Sequence, residues 1–289
     1  SAAASTATIT SGTTLGMSGS YRDFNRRAIV NQGTVNWTTG YLRSGNGGSF
    51  TNAAGATFND LNASGYTIHN PNFGGTTGTF VFTNNGTYVR NATNTTYFDT
   101  TFNNNGTLNL LLGNIQIRDG GTMSATSMVN AAAGTHLYFT NDYTLADGAV
   151  FAGAGIFEQT GGTLTINGNL SASTFNWYGG TWNAATSGQT TTIASTSVLN
   201  MGDGGYHDFN RRAIVNQGTV NWTSGYIRSG NGGSFTNAAG ATFNDLNPSG
   251  YTIHNPSFGG TAGTFVFTNN GTYVRNAANT SYLDIPFDN

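Results

Sequence analysis

The chain has 289 residues, of which 8% are charged, with a formal net charge of −2, no Cys and no Lys. That balance leaves no basic footprint for nucleic acid. The missing Cys and Lys exclude disulfides, thiolate metal sites, Cys nucleophiles and Schiff-base chemistry.

Gly, Thr, Asn and Ser dominate, yet aromatic residues make up 12% of the chain. They are spaced regularly among Val, Ile and Leu, which separates the chain from a disordered polar tract. Thr and aromatics favour strands, and Asn and Gly tolerate turn geometry. No apolar run reaches the roughly 18 residues that cross a bilayer, so membrane insertion is not expected. Ser1-Ala2-Ala3-Ala4 lacks the basic start and apolar stretch of a signal peptide. Both ends fall inside a repeated pattern, which leads us to expect an excerpt of a longer chain.

Taken in chain order, the elements share one phrase: an apolar residue, an Asn, a short Gly-containing turn, a small residue or Thr, and another apolar stretch. It first appears as Val30-Asn31-Gln32-Gly33-Thr34-Val35 and returns around Asn52, Asn84 and Asn104. A looser version surrounds Asn130, and the phrase recurs from Asn216, Asn237 and Asn269. Positions 31, 52, 84, 104 and 130 are 21, 32, 20 and 26 residues apart. Steps of about 20 residues match one coil of three short strands and three turns, and the longer steps require turn insertions. One such insertion is expected at 62–78, which carries Pro71 and Gly74-Gly75. Thr34-Val35-Asn36-Trp37 and Thr107-Leu108-Asn109-Leu110 alternate polar and apolar residues, as half-buried strands do. No segment holds a 3.6-residue apolar period. The expected fold is therefore all-β, a parallel β-solenoid with coils of about 20 residues. Asn31, Asn52, Asn84, Asn104, Asn130, Asn216, Asn237 and Asn269 are expected at its turns as a ladder of side-chain amides.

A second, longer period lies above this one. Residues 21–99 are written again at 206–284, differing only at 22, 39, 42, 63, 72, 77, 93, 96 and 98. The match extends more loosely to 8–100 and 192–285, a period of about 185, with 101–191 completing the unit. Upstream it fades, where Ile9 faces Ile193 with a one-residue slip. The coil phrase runs through the unmatched segment, so 1–289 is expected to be one continuous solenoid. At about 4.8 Å per coil, nine coils would lengthen an array by roughly 40 Å per unit. Long near-identical units are typical of arrays, whose stability comes from stacking neighbours.

The search for chemistry leaves no catalytic, metal or cofactor set. Glu158 is the only Glu, and the Asp residues are dispersed. The densest polar group is Tyr21-Arg22-Asp23-Phe24-Asn25-Arg26-Arg27 with its counterpart at 206–212, where Asp23 and Asp208 are expected to pair with neighbouring Arg. His69 and His254 precede Asn-Pro and read as hydrogen-bonded surface residues. Asp119-Gly120, Asp147-Gly148 and Asp203-Gly204 read as turns. Trp37, Tyr41, Trp222 and Tyr226 are candidate glycan contacts if exposed, although alternation from Val35 puts Trp37 on the core side.

Phe82-Thr83-Asn84-Asn85-Gly86-Thr87 and Val30-Asn31-Gln32-Gly33-Thr34-Val35 resemble the coil phrases of filamentous-haemagglutinin-like adhesins and autotransporter passenger domains of bacterial surfaces. That resemblance implies a right-handed parallel β-helix, export to the cell surface, and a role as stalk, filament or adhesive surface. The expected partners are further copies of the chain, stacked in tandem or end to end, and cell-surface glycans. The competing expectation is a polysaccharide lyase or hydrolase, or a glycan-binding β-helix, built on the same fold.

Overall fold

Successive side chains of a strand point to opposite faces, and Thr34–Trp37 obeys this rule: Val35 and Trp37 are buried while Thr34 and Asn36 are half-buried. Ser49–Asn52, Thr57–Asp60 and Val81–Asn84 show the same alternation. The structure is a computed structural model that describes residues 5–71, 80–256 and 264–289. Among them there are strands and turns and no helix. The chain forms a β-solenoid of parallel strands, about 12 coils over its two compact units. The first unit is Ser1–Asn141 with Ala149–Gly155, and the second is Asp142–Gly148 with Ile156–Asn289.

In the first unit each coil lays down a strand on each of three stacks. The first stack runs through Ser5–Ile9, Arg27–Asn31, Ser49–Asn52, Val81–Asn84, Thr101–Asn104 and Gly121–Met123. The second runs through Thr14–Met17, Thr34–Trp37, Thr57–Asp60, the beginnings of Thr87–Asp99 and Thr107–Ile117, Met128–Ala131 and Val150–Gly153. The third runs through Tyr21–Asp23, Tyr41–Arg43, Thr67–His69, the ends of the two long strands, and His136–Phe139. Thr67–His69 lies inside the segment expected to be a turn insertion. It pairs with Leu42-Arg43 and with Tyr97–Asp99, so 62–71 is part of the coil. The rest of that expected insertion, 72–78 with Gly74-Gly75, lies outside the described residues.

The second unit repeats the plan. Its first stack contains Gly168–Leu170, Gln189–Ile193, Arg212–Asn216, Ser234–Asn237, Val266–Asn269 and Phe287–Asp288. Its second contains Thr174–Thr181, Val198–Met201, Thr219–Trp222, Thr242–Asp245 and Thr272–Arg275. Tyr206–Asp208, Tyr226–Arg228, Thr252–His254 and Tyr282–Asp284 continue the third. Ile193 pairs with Asn216 as Ile9 pairs with Asn31, so the one-residue slip in the sequence preserves a structural equivalence.

Parallel pairing without a register offset puts like residues one above another. Phe50 stacks on Phe82 at 4.9 Å between ring centroids, and Phe58 on Tyr88 at 5.1 Å. Their equivalents Phe235–Phe267 and Phe243–Tyr273 stack at 4.9 and 5.2 Å. All of these rings but the half-buried Tyr273 are buried, in a column that no single coil could close by itself.

Asn residues stack in the same way. Asn31 Nδ2 donates to Asn52 Oδ1 at 2.7 Å, Asn52 to Asn84 at 2.8 Å and Asn84 to Asn104 at 2.8 Å. In the second unit Asn216, Asn237, Asn269 and Asn289 are joined by bonds of 2.8, 2.7 and 2.6 Å. Most of these amides also donate to the backbone carbonyl that opens the neighbouring second-stack strand, such as Thr57 O for Asn31 and Thr87 O for Asn52.

Asn130 does not belong to this row. The residue that pairs with Asn104 is Met123, and Asn104 Nδ2 has no hydrogen-bond partner. Asn130 lies mid-strand on the second stack, half-buried, and donates to Asn109 Oδ1 at 2.9 Å. The phrase around it matches, but the chain there is on a different stack. A comparable second-stack row joins Asn176, Asn200, Asn221 and Asn244 at 2.8–2.9 Å.

Replacing Asn52 by Ala removes one acceptor from Asn31 and leaves the buried Asn84 Oδ1 without its donor, and should lower stability by about 2–3 kcal/mol, whereas Asn130→Ala should cost about 0.5–1 kcal/mol. Urea denaturation of the two variants measures the difference. Equal losses would show that the buried row contributes no more than the half-exposed one.

Candidate functional site: the outer side of the third stack and the network behind it

The three-residue third-stack strands Tyr21–Asp23, Tyr41–Arg43 and Thr67–His69 turn the middle side chain inward and its two neighbours outward, so outward residues form two columns. In the first unit Tyr21 opposes Tyr41 and Asp23 opposes Arg43. The Tyr rings stack at 5.5 Å, with Tyr66 packed edge-on against Tyr41 at 4.9 Å and His69 at 5.5 Å. Arg43 grips Asp23 through two bonds, Nε–Oδ1 at 2.7 Å and Nη2–Oδ2 at 2.6 Å. Its guanidinium lies 3.9 Å from the centre of the Tyr21 ring. Further along, Arg118 pairs with Asp99 at 3.4 Å and covers Tyr97 at 3.6 Å.

The second unit builds the same group. Arg228 holds Asp208 through two bonds of 2.7 Å and lies 3.6 Å from the Tyr206 ring. Tyr226 packs against Tyr206, Tyr251 and His254. Tyr21 and Tyr206 are each 54% exposed. An exposed ring flanked by a fixed guanidinium and carboxylate offers an apolar platform beside donors and acceptors, the combination that orients a polar ring-shaped ligand. Asp23 and Asp208 pair with the Arg of the next coil, not with the Arg residues beside them in sequence. Stacking distance, not chain distance, decides the partner.

Tyr41 and Tyr226 stand on this face and are half-buried. Trp37 and Trp222 do not: both are fully buried, and their indole N–H groups donate to Gly40 O and Gly225 O at 2.8 Å. Alternation points them inward, so neither is available as a glycan contact. His136 stacks on Tyr138 at 5.3 Å. Gly120, Gly148 and Gly204 have φ values of 76°, 97° and 71°, which makes the three Asp-Gly pairs turns. Among the described residues no group of three or more His, Asp or Glu is placed to hold a metal ion, and no helix is long and apolar enough to cross a membrane.

Behind this face lies a network that composition and motif reading passed over. Asp60 and Arg90 are both fully buried and paired at 2.8 Å. Asp60 also accepts from Tyr88 Oη at 2.8 Å and Thr96 Oγ1 at 2.6 Å. Arg90 further donates to the carbonyls of Asn62, Thr93 and Asn94 at 2.8, 2.6 and 3.0 Å. Burial pushes the Asp60 carboxyl up, against the opposing pull of Arg90 and the two hydroxyls. The signal was present in the alternation: in Thr57-Phe58-Asn59-Asp60 and Thr87-Tyr88-Val89-Arg90 the charged residue occupies an inward position. The second copy rebuilds the network with Asp245, Arg275 and Tyr273, but there the Arg275 side chain is 27% exposed.

Two further buried polar groups belong to the second unit. Arg212 donates to Trp182 O at 2.6 Å, to Thr191 Oγ1 at 3.0 Å and to Ile166 O, and burial brings its pKa down to about 10. His207 lies between the carbonyls of Trp177 and Tyr226 at 3.0 and 3.3 Å. Burial pushes its pKa down, against those bonds. Comparison of the chain with known protein families, curated proteins and solved structures gives no match.

Asp60→Ala would leave Arg90 buried without a counter-charge and should cost about 3–5 kcal/mol. Asp245→Ala should cost less than half as much, because water reaches Arg275. Denaturant titration of both variants checks the order, and a larger loss for Asp245→Ala would contradict it.

The depressed pKa of His207 sets the sign of a pH effect. The unfolded chain takes up the proton first, so the contribution is complete above the ordinary imidazole value of about 6.5 and is lost as pH falls below it. His69 and His254 are shifted in the same direction. The melting temperature should drop between about pH 7 and 5, and His207→Gln should reduce the drop. Identical pH profiles for the two proteins would remove His207 as its source.

Proposed function

We propose that the chain is a non-enzymatic extracellular repeat module, structural and adhesive, from a long surface stalk or filament. The observation that carries this reading is that two near-identical copies fold into like coils and share several side-chain bonds. Each has a four-Asn row, an inward-facing Asp–Arg–Tyr network and an outer Tyr–Arg–Asp group. Adding such a copy lengthens an array without shaping a new pocket. Backbone and amide ladders bond coil to coil along each stack, which suits a stiff spacer. The resemblance to exported bacterial surface proteins supports a location outside the cell.

The outer Tyr–Arg–Asp groups favour glycan contact in addition to a mechanical role, since they recur with each copy and so present a multivalent surface. The feature closest to polysaccharide processing is the pair Asp99 and Asp119. Asp119 is pushed up by partial burial and then by the neighbouring Asp99 charge, and a raised carboxyl near a second carboxyl group is an arrangement that glycoside hydrolysis uses.

Electron microscopy of the native material tests the stalk reading. Fibres with an axial repeat of about 40 Å per long unit are expected, and isolated particles would end it. On a glycan array the chain should bind acidic or neutral polysaccharides and lose binding in Tyr21→Ala/Tyr206→Ala. Release of new chain ends from the bound glycans would instead place it among the processing enzymes.

A further inference from the structure

We propose that the stacked pairs Tyr21–Tyr41 and Tyr206–Tyr226 are sites of covalent modification, at which hydrogen peroxide and a haem peroxidase join the two rings into a dityrosine that staples adjacent coils.

Parallel pairing holds each pair in place. Tyr21 and Tyr41 stand at the same position of neighbouring third-stack strands, and so do Tyr206 and Tyr226. The ring centroids of both pairs are 5.5 Å apart, with interplanar angles of 18° and 31°. Rings on equivalent positions and so little tilted bring like edges together, the hydroxyl-bearing edges included. Their surroundings keep them there. Tyr66 and Tyr251 brace Tyr41 and Tyr226 edge-on at 4.9 Å. Arg43 and Arg228 lie 3.9 and 3.6 Å from the centres of the Tyr21 and Tyr206 rings and are clamped in turn by Asp23 and Asp208.

An oxidant reaches these rings from solvent, since Tyr21 and Tyr206 are each 54% exposed and their partners half-buried. Tyr206 has the strand Thr174–Thr181 on its other side and is no less exposed than Tyr21, so the exposure belongs to the position. A neutral imidazole is packed against each pair. The ring of His69 lies 5.5 Å from that of Tyr41, and the ring of His254 lies 5.6 Å from that of Tyr226. The Nε2 atoms of both His residues make no hydrogen bond. Burial, and then the charge of Arg43 or Arg228, pushes both imidazoles below their ordinary value. They are therefore unprotonated at neutral pH and able to take up a phenolic proton.

Each phenol gives up one electron and its hydroxyl proton and becomes a phenoxyl radical, with spin density on the ring carbons next to the oxygen. One such carbon of each ring forms the new carbon–carbon bond. The hydrogen that each of these carbons carried moves to its own phenol oxygen, which restores both aromatic rings. Two electrons and two protons leave the pair, and hydrogen peroxide takes them up to become two waters. Rings held side by side couple in preference to rings of separate chains, because no encounter is needed. The chain has no Cys for a disulfide and no Lys for an isopeptide, and this bond needs neither. It closes a loop in the unfolded chain and so opposes unfolding.

Trypsin cuts this Lys-free chain only after Arg. Arg22 separates Tyr21 from Tyr41, and Arg211 and Arg212 separate Tyr206 from Tyr226. The dilute chain treated with hydrogen peroxide and a haem peroxidase should gain dityrosine fluorescence while staying monomeric. Its mass should fall by two hydrogen atoms per link. Fragmentation of the linked tryptic peptides should join Tyr21 to Tyr41 and Tyr206 to Tyr226. Tyr282 is 52% exposed but opposes Thr252 instead of a tyrosine, and should stay out of links within the chain. Tyr21→Phe/Tyr206→Phe keeps the stacked rings and should lose both links. The treated unsubstituted chain should also unfold at a higher urea concentration than the treated double variant, which carries the same oxidation elsewhere. The assignment is overturned by a treated monomer without dityrosine, or by links that form only between chains. Links to Tyr66, Tyr251 or Tyr282 in place of the stacked partners would overturn it too, and so would a linked chain whose urea midpoint is no higher than that of the double variant.

Discussion

The rest of the structure depends on parallel hydrogen bonding between strands one coil apart. Parallel ladders have evenly spaced bonds, and in this chain the repeated coil phrase keeps their register nearly free of offset. A side chain therefore meets the residue at its own position in the next coil. Phe50 meets Phe82, Asn31 meets Asn52, and Tyr21 meets Tyr41. One rule thus makes a buried aromatic column, a buried amide row and an exposed ring stack. Which of these arises depends only on whether the position faces inward and on which residue occupies it.

The same rule admits buried charge. The second-stack position that holds Trp37 holds Asp60 in the next coil and Arg90 in the one after. An acid and a base placed one above the other neutralise each other in a column otherwise built of rings, and Tyr88 and Thr96 complete the carboxylate's hydrogen bonds. Such a pair is costly to bury and costly to break, so it specifies which coil lies on which. The two copies show that the core of this geometry belongs to the sequence of the unit: Asp245 keeps the bonds from Arg275 and Tyr273, while the hydroxyl of Ser281, which stands where Thr96 does, has no partner.

Function, on this view, follows from repetition. An outer Tyr–Arg–Asp group that recurs with each copy would give the proposed glycan ligand equivalent contacts. A further copy of the unit would continue the same coils with no new kind of contact. On the proposed reading, stiffness and multivalency are two consequences of one stacking rule.

The strand alternation, the β class, the coil length near 20 residues and the first-stack Asn row were legible in the sequence because each is a local or periodic property. So was the inward direction of Trp37, from its distance to Val35. Other features required the coils to be stacked. Asn130 carries the phrase but sits on the second stack, because the coil between Asn104 and Asn130 places Met123 at the row. Asp23 chooses Arg43 over the Arg beside it, since a pair 20 residues apart in the chain lies one strand spacing apart in the fold. Asp60 and Arg90, 30 residues apart, become a buried pair for the same reason. The sequence alone determined the period. Tertiary structure decided which positions share a stack and which are covered, because turn lengths between strands set the phase of each coil and burial depends on the coil above.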